Sequence, residues 1–279
     1  MFRKKLMKKV AIIGAGISGL FIANLFKRNK KYQVNIFERN SLINPKEGYG
    51  IQLSVNSIKL LNKIQFDKLE NSEKFNPDKI NFYSIRNSNK ICELNISDFN
   101  TESCKYTTLK RSSLINFLKK DLEKEIKFDH TISKIEQQDQ IVKISFENNE
   151  IYEFDYLIIS DGVFSKSKNL VSKKQIEPKF NDTLAIRGII PSSSNIADKK
   201  NISLFLGPNF HYVIYPVSPN GDLNFIAVMK FKLSRNEQKD FSLFRDDNYI
   251  RKILEKVPHL NKEFFDSVND IKIYPVFVS

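Results

Sequence analysis

A Gly-rich turn between an apolar strand and an apolar helix constrains this chain most: Val10-Ala11-Ile12-Ile13-Gly14-Ala15-Gly16-Ile17-Ser18-Gly19-Leu20. Val10 to Ile13 is a short apolar run, as in a parallel strand buried on both faces. Gly14, Gly16 and Gly19 fit G-x-G-x-x-G. The first permits a tight turn, the second lets a pyrophosphate approach the backbone, and the third lets helix and strand pack closely. Ile17, Leu20, Phe21 and Leu25 continue as a helix whose N-terminus favours phosphate. A second strand, Gln33 to Phe37, ends at Glu38, where this motif places the acid that binds an adenosine ribose.

A basic, then apolar start also suits a signal peptide. Arg3, Lys4, Lys5, Lys8 and Lys9 precede the stretch Val10 to Phe26. Asn24 interrupts that stretch and no small-residue cleavage pattern closes it, so export is rejected. The run is too short and broken for a membrane span, and a cytoplasmic location is expected. The net charge is +13, but only nine of the 45 basic residues are Arg, and the Lys are scattered. Nucleic-acid readers cluster their charge and favour Arg, so no nucleic-acid partner is expected. Cys92, Cys104 and three scattered His lack metal-ligand spacing. No metal is expected.

At 279 residues the chain suffices for one large or two interleaved domains. The spacing predicts a βαβ unit over 8–38 and a helix over 54–64. Strands are predicted at 79–85 and 91–96, and a helix opening at Arg111. Strand-like runs follow near 131–136, 140–146 and 150–154, then a buried strand, 156–160, closed by Asp161-Gly162. From about 180 the pattern is strand-rich (184–190, 202–206, 212–217, 223–228), with short helices near 247–256 and 259–266. A nucleotide-binding layer thus precedes a mostly antiparallel one.

Further segments carry a resemblance. They are Gly48-Tyr49-Gly50-Ile51-Gln52-Leu53-Ser54-Val55-Asn56, Leu109-Lys110-Arg111-Ser112-Ser113-Leu114, Asp155 to Ser165 around Asp161-Gly162, Arg187-Gly188, and Gly207 to Val217. In order and spacing the chain resembles the FAD-dependent aromatic-ring monooxygenases, most nearly the salicylate-hydroxylase and 6-hydroxynicotinate-hydroxylase branch. Three matches have physical sense of their own. Asp161-Gly162 follows an apolar strand, and in open α/β sheets the ligand crevice lies beyond the carboxyl ends of strands. Arg111 at a helix start is ill placed for the helix dipole unless it meets a phosphate. Gly48 and Gly50 flank Tyr49 and permit close approach to a flat ring.

The resemblance implies an α/β fold, with a Rossmann-like FAD-binding domain (1–75 and 106–178) interleaved with an antiparallel substrate domain (76–105 and 179–274). It implies that residues 275–279 begin the return to the FAD domain. It implies FAD contacts from Gly14, Ala15, Gly16, Ser18, Gly19, Glu38, Arg39, Gly50, Ile51, Arg111, Asp161 and Gly162. NADH or NADPH then reduces the flavin, which reacts with O2 and passes one oxygen atom to an electron-rich aromatic or heteroaromatic ring. A homodimer is left open.

On the substrate side, Gln52 stands where some relatives carry a catalytic His, and an amide is no base. Tyr215 is the other catalytic candidate, and equally a β-strand aromatic in the core. Arg187 and His211 are substrate-side candidates, His211 as a residue that orients its loop. The family's third fingerprint, a strand followed by Gly-Asp-Ala, is missing. Gly221-Asp222 is instead a hairpin turn in Pro219-Asn220-Gly221-Asp222. A fragment or truncated product is therefore expected, with a hydroxylase of quinone biosynthesis or a non-catalytic nucleotide-binding remnant as alternatives. A plain NAD-dependent dehydrogenase would leave Arg111, Asp161-Gly162 and the strand-rich half unexplained.

Overall fold

The computed structural model describes residues 7–43, 49–194 and 198–279. Arg3, Lys4, Lys5 and Gly48 lie outside them. In chain order, the first segment holds β1 (Lys8–Ile13), α1 (Ile17–Lys27) and β2 (Tyr32–Phe37). Next come β3 (Gly50–Leu53), α2 (Val55–Leu61), β4 (Lys74–Phe75), β5 (Lys79–Ser84), β6 (Lys90–Asn95) and β7 (Thr107–Lys110). The third segment contains α3 (Arg111–Lys119), β8 (Ile126–Lys127), β9 (Ile132–Gln138), β10 (Ile141–Phe146), β11 (Ile151–Phe154), β12 (Tyr156–Ile159) and α4 (Ser167–Ser172). The last contains β13 (Lys179–Ile190), β14 (Ile202–Gly207), β15 (Phe210–Pro216), β16 (Leu223–Lys230), α5 (Asp247–Leu254), α6 (Lys262–Asp266) and β17 (Asn269–Val278).

The chain packs as two compact units, one of residues 1–47 and 112–178 with Ser279, the other of 48–111 and 179–278. The bounds differ from those expected at 75, 105 and 274 for a physical reason. β3 and β4 both pair with β7, and the Gly50 N–H donates to the Asn224 side chain, so 48–75 and 106–111 pack with the strand-rich half. β17 likewise stays on β13, with Pro275 opposite Leu184 and Val278 opposite Lys179.

In the first unit a parallel sheet runs in the order β12-β1-β2-β8. Val10, Ala11 and Ile12 are wholly buried, as a continuous apolar run requires. A three-stranded antiparallel sheet, β11-β10-β9, lies beside it in sequence. Phe37, Phe146, Phe154 and Ile144 join Ala11 and Ile13 in one core.

The second unit is built on a seven-stranded sheet, β17-β13-β16-β15-β14-β5-β6, antiparallel except where β14 meets β5. One face is covered over β13, β15 and β16. Leu184, Ile186, Ile214, Phe225 and Ala227 pack there with Ile253 of α5 and Phe265 of α6. Asp246 and Asn261 cap these helices through bonds from the N–H groups of Tyr249 and Phe264. The second helix starts later than periodicity predicts, because His259 has φ +64° and Asn261 supplies the cap. The other face is half open, with Arg187, Val213 and Ile226 partly exposed.

Candidate functional site

Local sterics account for the Gly-rich turn. Gly14 has φ +99°, and a Cβ there would lie 2.6 Å from the Ser160 carbonyl oxygen. At Gly19 a Cβ would lie 2.0 Å from the Gly14 oxygen and 2.7 Å from Ser160 Oγ. Both glycines are thus required by the crossing of β1, α1 and the end of β12. Gly16 differs: nothing lies within 4 Å of a Cβ placed there. Gly16 is itself the cap residue of α1, whose start has no side-chain cap and no acid in its first turn. Ser18 is exposed at this start. Free N–H groups beside an open glycine form an anion cradle.

Glu38 closes the turn. Its Oε2 accepts the Ala15 N–H at 2.9 Å, and its Oε1 accepts Asn40 N–H at 3.0 Å and Asn40 Nδ2 at 2.8 Å. Arg39 beside it is exposed. At the end of β12, Asp161 Oδ2 accepts from Ser167 Oγ at 2.8 Å and Ser167 N–H at 3.2 Å, while Asp161 Oδ1 is buried with no partner. Gly162 follows with φ +80° and open space where a Cβ would stand. Within the first unit, then, the candidates at the carboxyl ends of β1, β2 and β12 come together. Sequence reasoning missed Ser160, whose Oγ donates to the Ile13 oxygen at 2.8 Å. Its place just before Asp161 was the available signal.

The remaining candidates belong to the second unit. Gly50 and Ile51 open β3, and a Cβ on Gly50 would lie 2.6 Å from both Asn224 Cβ and Val217 Cγ1. Arg111 opens α3, and its backbone N–H donates to the Tyr49 oxygen at 2.9 Å. Tyr49 is buried, and its hydroxyl donates to the Asp270 carbonyl at 2.6 Å, which anchors the start of β3. Gln52 Oε1 accepts from the Tyr106 hydroxyl at 2.7 Å. Tyr215 is 3% exposed, packed with Ile96, Ile202 and Val217. Burial pushes its phenol well above the ordinary tyrosine value, with the Arg187 charge and the neighbouring Gln52 amide acting against that rise. Burial also raises the Tyr106 phenol. Tyr106 was not foreseen, since it reaches Gln52 across 54 residues of chain.

His211 lies within β15, opposite Leu206 and Val228, rather than in a loop. The turn before it belongs to Asn209, at φ +60°. Among the described residues no cluster of His, Cys, Asp or Glu has metal-binding geometry. Among them, too, no helix is long and apolar enough to cross a membrane.

No family model matches the chain. Curated proteins do. It is 25% identical over 225 residues to 3-amino-4-hydroxybenzoate 2-monooxygenase of Streptomyces cremeus, covering 79% of this chain and 56% of that protein. It is 25% identical over 247 residues to a salicylate hydroxylase of Pseudomonas putida, covering 81% and 55%. The chain therefore spans about half the length of the curated relatives it matches. Klebsiella pneumoniae HpxO, solved with FAD and uric acid, superposes with a TM-score of 0.76 at 15% identity, over 99% of this chain and 69% of that one. The 2,6-dihydroxypyridine-3-hydroxylase of Arthrobacter nicotinovorans gives 0.77 at 17%, over 97% and 72%. In sequence and in fold the chain resembles the FAD-dependent aromatic-ring monooxygenases, and its parallel and antiparallel sheets are those of the aromatic hydroxylase fold.

Proposed function

We propose that this chain carries FAD- and substrate-binding parts of a monooxygenase that hydroxylates a small aromatic or heteroaromatic ring with NADH or NADPH and O2. The observation that supports it most is the nucleotide cradle of the first unit: Gly16 open to a ligand, an uncapped helix start, Glu38 on the turn, and a buried Asp161 oxygen without a partner. These residues fit FAD. Gly14, Ala15, Gly16, Ser18 and Gly19 would hold the pyrophosphate, Glu38 and Arg39 the adenosine side, and Asp161 and Gly162 a polar part of the cofactor. Gly50, Ile51 and Arg111 are assigned to the flavin by resemblance alone.

Bound flavin supplies the electron and oxygen chemistry that no side chain here can perform. The chain's own part is to hold cofactor and ring. Neither Gln52 nor a Tyr215 phenol raised by burial is a base near neutral pH, so their part is to orient a ring through hydrogen bonds. The relatives' names, a salicylate hydroxylase and a 3-amino-4-hydroxybenzoate monooxygenase among them, support a small ring as substrate.

The test supplies purified protein with FAD, NADH or NADPH, and a panel of aromatic and heteroaromatic acids and phenols under 18O-labelled O2. The expected result is ligand-stimulated oxidation of the nicotinamide, with one labelled oxygen atom in the product. Flavin reduction with label in no product would point to a reductase instead.

A further inference from the structure

A cluster of titratable side chains in the first unit lies apart from the side chains assigned to the cofactor. It surrounds the connection between β8 and β9, and that connection grips Glu38. The Glu38 N–H donates to the Lys127 carbonyl at 2.9 Å, and the His130 N–H donates to the Glu38 carbonyl at 2.9 Å. The Asp129 N–H adds a longer bond, 3.3 Å, to the Asn40 carbonyl. Both main-chain groups of Glu38 are therefore set by one short segment, which bends at Asp129 with φ +57°. The Glu38 carboxylate in turn holds the Ala15 N–H.

Side chains hold the connection itself. His130 is 8% exposed. Its Nδ1 lies 2.5 Å from the Phe128 carbonyl oxygen, and its Nε2 lies 3.1 Å from Glu150 Oε2. A ring flip would put carbon atoms at both places, so the two acceptors fix the orientation of the ring. Phe37 and Phe146 pack against it, with centroids 5.4 Å and 5.0 Å away. The Tyr152 hydroxyl donates to the same Glu150 oxygen and accepts from Lys127 Nζ at 2.6 Å. Lys127 Nζ also stands 4.5 Å from the centroid of the Tyr152 ring. The Tyr152 bond and then the His130 bond hold the Glu150 carboxyl below the ordinary glutamate value. Lys127 and His130, the two residues that bond the Glu38 backbone, are thus tied together through Tyr152 and Glu150. The Glu150 side chain is 46% exposed. A bond to so exposed a carboxylate adds little to stability, which leaves placement as its main effect.

We propose that Glu150, acting through His130, positions Glu38 and through it the Gly14–Gly19 turn that receives the nucleotide. Glu150 and Tyr152 are then positioning residues for cofactor binding. The proposal rests on the FAD reading above for the identity of the nucleotide.

The experiment has two arms, both on the full chain. The first uses no flavin and follows deuterium exchange of backbone amides, by mass spectrometry, in the peptide that contains Ala15. Glu150→Ala should speed exchange there, as Glu38→Ala should, with Tm near that of wild type. Glu150→Gln keeps an acceptor and should restore most of the protection. The second arm titrates FAD by flavin fluorescence. Glu150→Ala should weaken FAD roughly three- to tenfold. In a Glu38→Ala chain the same change should cost nothing further, because the two residues act in series. A purely stabilising role would instead weaken FAD by the same factor with or without Glu38. Unchanged exchange at Ala15 in Glu150→Ala, or independent losses in the double variant, would overturn the proposal. Should Glu150→Ala not fold, Tyr152→Phe is read in its place: faster exchange at Ala15 supports the proposal and unchanged exchange overturns it. A wild-type chain that takes up no FAD defeats the FAD reading alone, since the exchange arm needs no flavin and decides the positioning of Glu38 by itself.

Discussion

Glu38 reaches back from the end of β2 to accept the Ala15 N–H at 2.9 Å, so the carboxylate beyond one strand holds the turn that follows its neighbour. Glu38→Ala removes that bond along with both Asn40 bonds. FAD affinity should fall at least about tenfold, or roughly 1.4 kcal/mol. Glu38→Gln, which keeps an acceptor, should lose less. Titration of flavin fluorescence measures both.

Gly16 and Gly19 separate binding from folding. Gly19→Ala forces a methyl against the Gly14 backbone, which cannot yield as a side chain would. It should destabilise by about 2–4 kcal/mol, near the top of the range for overpacking. Gly16→Val meets open space in the protein. It should melt close to wild type while abolishing FAD binding, because the branched side chain fills the pyrophosphate's place. Thermal melts with and without FAD distinguish the two.

Asn224→Ala leaves the Gly50 N–H without its side-chain acceptor inside the second unit. An unsatisfied buried donor costs about 1–3 kcal/mol, so the denaturation midpoint should drop by a matching amount. Asn224→Asp keeps the acceptor but buries a carboxylate, and should lose at least as much.

Asp155 ties β1 to the start of β12, taking the Lys8 ammonium at 2.6 Å and the Lys9 N–H at 2.7 Å. The Lys8 bond and then the Lys9 N–H hold its carboxyl below the ordinary aspartate value. A depressed carboxylate pKa stabilises the fold above the unfolded value, and the gain is lost as pH falls through the folded value. Asp155→Ala should therefore melt slightly lower than wild type at neutral pH. The gap should close in acid, below the ordinary aspartate range, as a pH series of melts would show.

Local signals were legible in the chain, and non-local ones were not. The run Val10 to Ile13 and the three glycines point to a parallel strand, a turn and a helix, and β1 and α1 have that form. Apolar alternation places β13, β15 and β16 correctly within a few residues. What periodicity does not carry is pairing across the chain. Tyr106 meets Gln52, and Asn224 meets Gly50, only because β3 and β7 pair and pack beside β16. Ile273 to Val278 reads as a strand, yet its partner β13 lies about ninety residues away. Gly188 has the same origin: a Cβ there would lie 2.2 Å from Val268 Cγ1.

The central claim is that the turn at Gly14 to Gly19 binds FAD, and the most direct measurement is the melting temperature of the 279-residue chain against FAD concentration. A ligand that binds only the folded state raises Tm as its concentration passes the dissociation constant. The account predicts a saturable rise with FAD, accompanied by quenching of flavin fluorescence, and neither effect in folded Gly16→Val. A cooperatively folded wild-type chain whose Tm does not move with FAD, or a Gly16→Val chain that responds as wild type does, would contradict it.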